Sequence, residues 1–323
     1  MPKQKILITG GAGMIGKALI RILYKNYYLI VLDKKSQIKR NKKYIKSFKN
    51  KGVDFYSIDI LQKRKLNKYF KNIKYVIHLA AMLGVSKTEK KKYNCWRVNF
   101  IGTKNVVEAS VLNNVKRIIF SSSSEVYGEQ KSKKKIKETN PLLGSNIYAL
   151  SKIEAEKFII NFLKDKKTKY TIARLFNTYG EGQVAQFFIP KLCYAAKYNK
   201  DFIINGNGRQ IRSYAYCGDI AKGIKKSLKN KKAENNIYNI GNSKEIFSLR
   251  DVTSLVSKIK KKNIKLLFSK NFKAGDRKKN REIFNRICDT SKARKDLKYT
   301  PKVNLTKGLK KVFKQEKIFL NWP

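Results

Sequence analysis

Short apolar runs alternate with segments of helical character over the first half of the chain. Runs typical of buried strands occur at residues 5–8, 28–32, 53–58, 74–81, 116–120 and 170–175. Apolar spacing predicts helices at residues 17–24 and 98–113, and a series of good helix formers predicts another from residue 147. Strands that alternate with helices predict right-handed βαβ units. The expected fold class is therefore α/β, with a doubly wound parallel sheet.

The second half of the chain is less regular. The pattern predicts a helix at residues 189–198, a strand at 202–204 and a loop at 206–212. Residues 236–241 are expected to return to the sheet. We therefore expect a larger domain at residues 1–175, which also receives segments from about 213–241, and a smaller mixed C-terminal lobe made mainly of residues 176–323. The basic stretch at residues 34–50 shows little pattern.

A glycine-rich turn follows the first predicted strand. Gly10, Gly11, Gly13 and Gly16 satisfy both Gly-x-Gly-x-x-Gly and Gly-x-x-Gly-x-x-Gly, and a predicted helix starts within the turn. Such a turn lets the backbone approach a pyrophosphate, which the free N–H groups of the helix N-terminus attract. Asp33 closes the next strand, where a carboxylate accepts hydrogen bonds from an adenine ribose and repels a 2′-phosphate. The pattern predicts a Rossmann site for NAD.

Several polar or small residues lie at the ends of the predicted strands. Besides the glycine turn and Asp33, these are Asp59, the pair Ala80 and Ala81, and the serine-rich residues 121–125. Ligands of open α/β sheets bind beyond the carboxyl ends of the strands. The agreement among these positions places the expected binding site at that edge of the sheet.

The chain is strongly basic. Its 75 Lys and Arg residues against 22 Asp and Glu residues give a formal charge of +53 at pH 7. Lysines are spread over the whole chain without a known nucleic-acid-binding motif, so we expect solvated surfaces and no specific nucleic-acid partner. No apolar run approaches the roughly 18 residues of a membrane span, and the N-terminus does not resemble a signal peptide. We therefore expect a cytoplasmic protein without a membrane span.

Cysteine and histidine are scarce. Four cysteines lie far apart without a CxxC pair, and His78 is the only histidine. This composition argues against a metal site and against a disulfide framework. Catalysis by a Ser-His-Asp or Cys-His group would need His78, which lies in an apolar strand and is expected to be a packed residue.

Tyr148 and Lys152 form the candidate catalytic pair. They are four positions apart in a predicted helix, so their side chains share one face. An ammonium beside a phenol oxygen lowers the pKa of the phenol toward neutrality and makes it a base. Ser123, from a nearby strand end, can hydrogen-bond the same substrate hydroxyl. These residues predict removal of a proton from an alcohol while NAD accepts a hydride.

Together these elements resemble the extended short-chain dehydrogenase/reductase family, specifically its NAD-dependent nucleotide-sugar epimerases, dehydratases and decarboxylases. The resemblance covers essentially the whole chain. It lies in the motifs at residues 9–16, 59–60, 78–81, 99–103, 121–128, 148–152, 174–177 and 206–212. It implies a nucleotide-diphosphate sugar as substrate, a transient 4-keto sugar, and NAD that is regenerated in each turnover.

Pattern and resemblance together assign site residues. Cofactor binding is expected for Gly10, Gly13, Met14, Ile15, Gly16, Asp33, Lys34, Asp59, Ile60, Leu79, Ala80, Ala81, Asn99, Ser121, Tyr148, Lys152 and Phe176. Substrate binding is expected for Ser123, Asn177, Arg212 and Arg286. Of these, Asn177 and Arg212 would hold the diphosphate, a role that suits a guanidinium group. Catalysis is expected from Ser123, Tyr148 and Lys152, with Glu125 as a fourth candidate.

The resemblance leaves the reaction open. A 4-epimerase needs only Ser123, Tyr148 and Lys152, and we expect this activity. The 4,6-dehydratases carry Thr-Asp-Glu where this chain has Ser-Ser-Glu, so Ser124 replaces their aspartic acid. The glucuronate decarboxylases resemble this Ser-Ser-Glu triplet better and also use an arginine near the C-terminus, at a place that Arg286 matches. Alternatively, Glu125 pairs with a nearby lysine or helix end.

The resemblance also implies a homodimer. The helices at about 98–113 and 147–164 would pack against their symmetry mates, with Phe158, Ile159, Phe162 and Leu163 as apolar surface. These four side chains can instead face the sheet. An alternative of another class is a protein that binds NAD or nucleic acid without catalysis. The intact catalytic residues argue against this alternative.

Overall fold

A parallel sheet lies at the centre of the protein, whose computed structural model describes residues 3–261, 263–269 and 282–315. Its strands are β1 (Lys5–Thr9), β2 (Tyr28–Asp33), β3 (Val53–Ser57), β4 (Ile73–His78), β5 (Arg117–Ser123), β6 (Lys169–Leu175) and β11 (Asn236–Ile240). The spatial order is β11-β6-β5-β4-β1-β2-β3, and each neighbouring pair is parallel. The expected doubly wound α/β fold is confirmed.

Helices connect the strands and cover both faces of the sheet. They are α1 (Met14–Leu23), α2 (Lys35–Arg40), α3 (Lys42–Lys46), α4 (Lys63–Asn67), α5 (Val85–Lys90), α6 (Lys92–Trp96), α7 (Gly102–Leu112), α8 (Ile147–Phe162), α9 (Phe188–Tyr198), α10 (Cys217–Ser227), α11 (Leu249–Lys260), α12 (Ser291–Leu297) and α13 (Leu305–Phe313). A π-helical turn, Arg97–Ile101, leads into α7, and short 3₁₀ turns occur at Ser124–Tyr127 and Lys231–Ala233.

Strand β1 shows how the sequence builds two core layers. Ile6 and Ile8 point into one hydrophobic cluster, with Leu19 of α1, whereas Leu7 points into the other, with Val107 of α7. All three strand residues are fully buried. Successive side chains of a strand alternate between faces, so an unbroken apolar run is what a strand covered on both sides requires.

Among the described residues, three small sheets lie outside the central one. They contain β7 (Thr178–Tyr179), β8 (Phe202–Asn205), β9 (Ile211–Ser213), β10 (Ala215–Tyr216), β12 (Ile246–Ser248), β13 (Leu266–Ser269) and β14 (Asn285–Arg286). Strand β9 pairs antiparallel with β12 and parallel with β14. The predicted loop at residues 206–212 was therefore wrong at its end, because Ile211 and Arg212 pair in β9.

One further difference from the sequence pattern concerns helices. The stretch at residues 34–50, which shows little pattern, forms α2 and α3. Both helices are short and carry few apolar residues, which explains the weak signal. Parts of the predicted C-terminal lobe, at residues 270–281 and 316–323, lie outside the described residues. Within the described part of the chain, the helices are too short or too polar to cross a membrane.

Candidate active site

The turn between β1 and α1 brings two segments of backbone together. Gly10 has a φ of +69°, and a Cβ atom there would lie 2.7 Å from the backbone nitrogen of Ala80. A Cβ atom at Gly16 would lie 2.4 Å from the Cα of Gly11. No side chain caps the start of α1 at Gly13. The first-turn N–H groups therefore lack an intrahelical partner and are available to an anion.

Asp33 lies beside this turn, at the end of β2. Its carboxylate accepts hydrogen bonds from the backbone N–H groups of Ala12, at 3.0 Å, and Lys34, at 2.8 Å. Burial raises the pKa of the carboxyl group, although both hydrogen bonds lower it. The hydrogen bond from Ala12 fixes the carboxylate directly against the glycine turn.

A cleft of about 1680 Å³ follows the carboxyl ends of the strands. It collects most of the residues that the sequence assigned to a site. Those that line it are Gly10, Gly13, Met14, Ile15, Gly16, Asp33, Lys34, Ile60, Leu79, Ala80, Ala81, Ser121, Ser123, Glu125, Tyr148, Lys152, Asn177, Arg212 and Arg286. One continuous cleft therefore reaches from the glycine turn to the candidate catalytic and substrate-binding residues.

Three residues expected at the cofactor lie outside the lining of this cleft. Asn99 is fully buried, and its side chain accepts a hydrogen bond from the N–H of Met82 at 2.7 Å. Phe176 is also fully buried and packs in a core cluster with Tyr127. Asp59 accepts a hydrogen bond from the N–H of Leu61 at 3.0 Å. The structure thus places Asn99 and Phe176 behind the cleft wall, where they support it.

Lys152 and Tyr148 lie on one face of α8, and both are buried. The ammonium of Lys152 donates a hydrogen bond to the carbonyl oxygen of Ser121 at 2.8 Å and lies 4.5 Å from the centre of the Phe120 ring. Burial lowers the pKa of Lys152 to about 8. The end of β5 thereby holds the lysine, which lies one helical turn from the predicted catalytic tyrosine on the same face of α8.

The pKa of Tyr148 differs from the sequence-based expectation. Burial raises it to about 12, and a hydrogen bond with Ser123 opposes this increase only in part. The expectation that the Lys152 ammonium lowers this pKa toward neutrality was therefore wrong in direction. Four-residue spacing predicts that the two side chains are neighbours, but it does not reveal how deeply the phenol is buried.

Glu125 lies in the wall of the cleft and is paired with an arginine. Its carboxylate forms an ion pair with Arg286 and lies 3.4 Å from the side-chain nitrogen of Asn146. The other guanidinium nitrogen of Arg286 donates to the side-chain oxygen of Asn177 at 2.6 Å. Of the two partners expected in the alternative interpretation, the helix end is present, because Asn146 is the N-cap of α8, whereas the ion pair is with an arginine. Burial lowers the pKa of Arg286 to about 10.

Arg212 also has a glutamate partner. Its guanidinium lies 2.7 Å from the carboxylate of Glu282 and 3.1 Å from the carbonyl oxygen of Phe284. Both charged side chains are largely buried. The second arginine expected at the substrate is therefore held on the central strand of the small sheet formed by β12, β9 and β14.

His78 is packed in the core, as expected. Its ring is fully buried between the hydroxyl groups of Thr9, at 2.6 Å, and Thr103, at 2.9 Å. Burial lowers its pKa to about 3. The described cysteines are free, and the described His, Cys, Asp and Glu residues include no group of three that could hold a metal ion.

With this geometry established, comparison with known proteins identifies the family. Residues 6–241 match the model of the NAD dependent epimerase/dehydratase family. The chain belongs to that family. As an NAD-dependent epimerase/dehydratase, it is an enzyme of nucleotide-sugar chemistry, and NAD is its cofactor.

Members of this family with different reactions are similar to the chain. It is 30% identical to a UDP-N-acetyl-alpha-D-glucosaminuronate decarboxylase of Bacillus cytotoxicus, over 95% of this chain and 96% of that protein. It is 32% identical to the dTDP-D-glucose 4,6-dehydratase of Bos taurus, over 80% of this chain and 74% of that protein. One similar structure is that of the UDP-glucuronic acid 4-epimerase of Bacillus cereus, solved with UDP-glucuronic acid and NAD. It superposes on this chain with a TM-score of 0.87 at 29% identity, over 96% of this chain and 98% of that protein.

The glycine turn of this NAD-dependent epimerase/dehydratase fits the cofactor. Close backbone approaches at Gly10 and Gly16 leave a cradle that side chains would fill, and the uncapped start of α1 faces the same cleft. Both features suit a diphosphate. We infer that this turn would hold the diphosphate of NAD and that Asp33 would hold its adenosine ribose. NAD supplies the hydride acceptor of the reaction when it is bound.

Sequence reasoning missed two residues of the site. Asn146 caps α8 by accepting a hydrogen bond from the N–H of Ala149 at 2.9 Å, and its side chain also reaches Glu125. An asparagine directly before a predicted helix is a known cap signal and could have been found. Glu282, the partner of Arg212, lies in a segment without a recognisable pattern.

Proposed function

We propose that the enzyme is an NAD-dependent nucleotide-sugar 4-epimerase that acts on a UDP-sugar. The observation that supports this proposal is the grouping of Ser123, Tyr148 and Lys152 in the cleft that begins at the glycine turn. These three residues suffice for oxidation at C4 and return of the hydride to the other face. The 4-epimerase of Bacillus cereus, which matches almost the whole chain, supports the same reaction.

Each residue has a distinct role in this proposal. Tyr148 takes the proton of the C4 hydroxyl as the hydride leaves, and it returns a proton when the keto group is reduced. Lys152 supplies a positive charge that favours the phenolate form of Tyr148. Ser123, which already interacts with Tyr148, orients the same substrate oxygen. On the substrate side, Asn177 and Arg212 would bind the diphosphate.

Product analysis tests this proposal directly. Purified enzyme would be incubated with UDP-glucose, UDP-N-acetylglucosamine, UDP-glucuronate and dTDP-glucose, and the products separated by chromatography. A 4-epimer of one of these sugars, formed without loss of carbon or water, is the expected result. Release of carbon dioxide or formation of a 4-keto-6-deoxy sugar would overturn the assignment.

A second candidate function is decarboxylation of a UDP-uronate. The ion pair of Glu125 and Arg286 in the cleft wall favours it, because a plain 4-epimerase requires neither group. The similar Bacillus cytotoxicus protein is named as a decarboxylase. In a decarboxylase, a glutamic acid side chain near the 4-keto sugar, in its protonated form, can deliver the proton that replaces the lost carboxyl group and then becomes a carboxylate.

A pair of variants separates the two reactions. Glu125→Gln removes a carboxylate that decarboxylation needs and that 4-epimerisation does not. If the enzyme is an epimerase, this variant keeps turnover within a few-fold of the native rate. Glu129→Gln provides a matched control, because Glu129 accepts a hydrogen bond from Phe284 at 2.6 Å and is absent from the lining of the cleft. Loss of carbon dioxide release in Glu125→Gln alone would establish the decarboxylase.

We also propose that the enzyme forms a homodimer through α7 and α8. Leu112 at the end of α7 is 69% exposed and Leu150 on α8 is 41% exposed. Of the four residues expected at this interface, Phe158 and Phe162 are partly exposed and stack at 5.0 Å, whereas Ile159 and Leu163 are fully buried. Sedimentation should show a dimer that Leu150→Glu dissociates and Leu267→Glu, in β13, leaves intact. A native monomer would refute the proposal.

A further inference from the structure

A buried carboxylate outside the expected catalytic set lies under the active site. Glu156 on α8 is 2% exposed. Its two carboxylate oxygens accept hydrogen bonds from Arg174 of β6, with an Nη2 to Oε2 distance of 2.6 Å and Nε distances of 3.1 Å. The hydroxyl of Ser122 in β5 donates to the same carboxylate. A single side chain therefore links α8 to the ends of two neighbouring strands.

Glu156 continues the row of catalytic side chains on α8. Tyr148, Lys152 and Glu156 follow one another at intervals of four residues and thus lie on one helix face. At the other end of the contact, Ser122 lies between Ser121, whose carbonyl oxygen holds Lys152, and Ser123, which interacts with Tyr148. Movement of Glu156 would displace both groups that position the reactive phenol.

Glu156 also affects the charge of Lys152. Among the described residues, three titratable groups interact electrostatically with the Lys152 ammonium. They are Glu156 on α8, Cys95 on α6 and His78 on β4. His78 has a pKa of about 3, and burial raises the pKa of the Cys95 thiol, so both are neutral near pH 7. Burial lowers the pKa of Lys152, whereas Glu156 raises it. Glu156 is thus the carboxylate that opposes the burial of the lysine.

We propose that Glu156 is a positioning residue for catalysis, which locks Ser123 against Tyr148 and keeps Lys152 in its ammonium form. This inference rests on the proposed roles of Tyr148 and Lys152. A purely structural ion pair with Arg174 would stabilise the fold without influencing how activity depends on pH. The proposal instead requires that loss of the Glu156 charge shifts that dependence, because Lys152 then loses its proton at lower pH.

The test compares Glu156→Gln with Glu154→Gln. Glu154 lies on the same helix, is exposed and pairs with Lys157 at 2.9 Å, so its variant is the matched control. Two quantities are followed from pH 6 to 10: the affinity for NAD by calorimetry, and hydride transfer from UDP-glucose or UDP-glucuronate to bound NAD at 340 nm. For Glu156→Gln we expect hydride transfer to be about tenfold slower. We also expect the alkaline limb of both pH profiles to shift to lower pH by about one unit. Glu154→Gln should match the native enzyme.

The calorimetric measurement of NAD affinity needs no sugar substrate. Its outcome therefore does not depend on whether the proposed epimerase activity is correct. If Glu156→Gln does not fold, Ser122→Ala removes only the hydrogen bond from β5. That variant should slow hydride transfer two- to fivefold and leave the pH profile unchanged. A Glu156→Gln enzyme that unfolds more easily but keeps the native pH profiles would overturn the proposal. Native hydride transfer in Ser122→Ala would overturn the part that concerns Ser123.

Discussion

Glu125 and Arg286 are 161 positions apart in the chain and form an ion pair in the wall of the cleft. Both side chains are buried, with 9% of the Glu125 side chain and 8% of the Arg286 side chain exposed. The pair joins the 3₁₀ turn after β5 to β14, and therefore ties the central sheet to the smaller C-terminal sheets. The pair thus links segments that are distant in the chain within the wall of one cleft.

Loss of Arg286 alone should be more damaging than loss of the pair. Arg286→Met leaves the Glu125 carboxylate buried without its arginine, which typically costs about 3 kcal/mol of unfolding free energy. The double variant Glu125→Gln/Arg286→Met should recover most of that loss. Urea unfolding of the two single variants and the double variant measures the coupling. Purely additive effects would show that the pair contributes little.

Replacement of the tyrosine tests the chemical step. Tyr148→Phe removes the proton acceptor, so we expect turnover to fall at least about 100-fold. The thermal midpoint should change little, because the ring remains in place. Tyr198→Phe, at a tyrosine on α9 that is 45% exposed, is the matched control and should keep native activity. Undiminished turnover in Tyr148→Phe would contradict the mechanism.

The glycine turn provides a test that needs no substrate. Gly10→Ala places a Cβ atom against the backbone of Ala80 at a positive φ, so we expect weaker NAD binding by at least tenfold and a loss of more than about 1 kcal/mol in stability. Gly52 has a similar φ of +70°, but a Cβ atom there would lie 3.6 Å from the nearest atom, on the Tyr28 ring. Gly52→Ala should therefore be destabilised by backbone strain alone and bind NAD normally, as calorimetry would show.

His78 should make stability depend on pH in a defined window. Its pKa is about 3 in the folded protein against 6.5 ordinarily, so below pH 6.5 the unfolded chain binds a proton that the folded protein does not. Stability should fall as pH decreases from 6.5, by about 1.4 kcal/mol per pH unit from this residue. His78→Asn should remove that slope between pH 6.5 and 5. Because the chain has no other histidine, an unchanged slope in the variant would contradict the assignment.

Local sequence patterns were sufficient for the central features of the fold and for part of the site. The glycine turn, Asp33 and the Tyr148–Lys152 pair are each defined by a few neighbouring residues, and the structure places them in one cleft. Strand periodicity was equally informative, because burial on both faces produces continuous apolar runs.

Long-range contacts and burial could not be predicted in this way. Arg212 and Glu282 are 70 positions apart, and nothing near either residue indicates its partner. Likewise, the sequence showed that Asn99 belongs to a motif but not that its side chain is fully buried and accepts a hydrogen bond from Met82. The pKa of Tyr148 depends on the surrounding packing, which four-residue spacing does not reveal.

The number of residues in strand β1 is constrained as strongly as their apolar character. Ile6 and Ile8 serve one helical layer and Leu7 serves the other. If one residue were inserted in β1, every β1 side chain after the insertion would point into the opposite core layer. Gly10 would also move away from the backbone of Ala80. The five residues of β1 thus set where the glycine turn meets the backbone of Ala80.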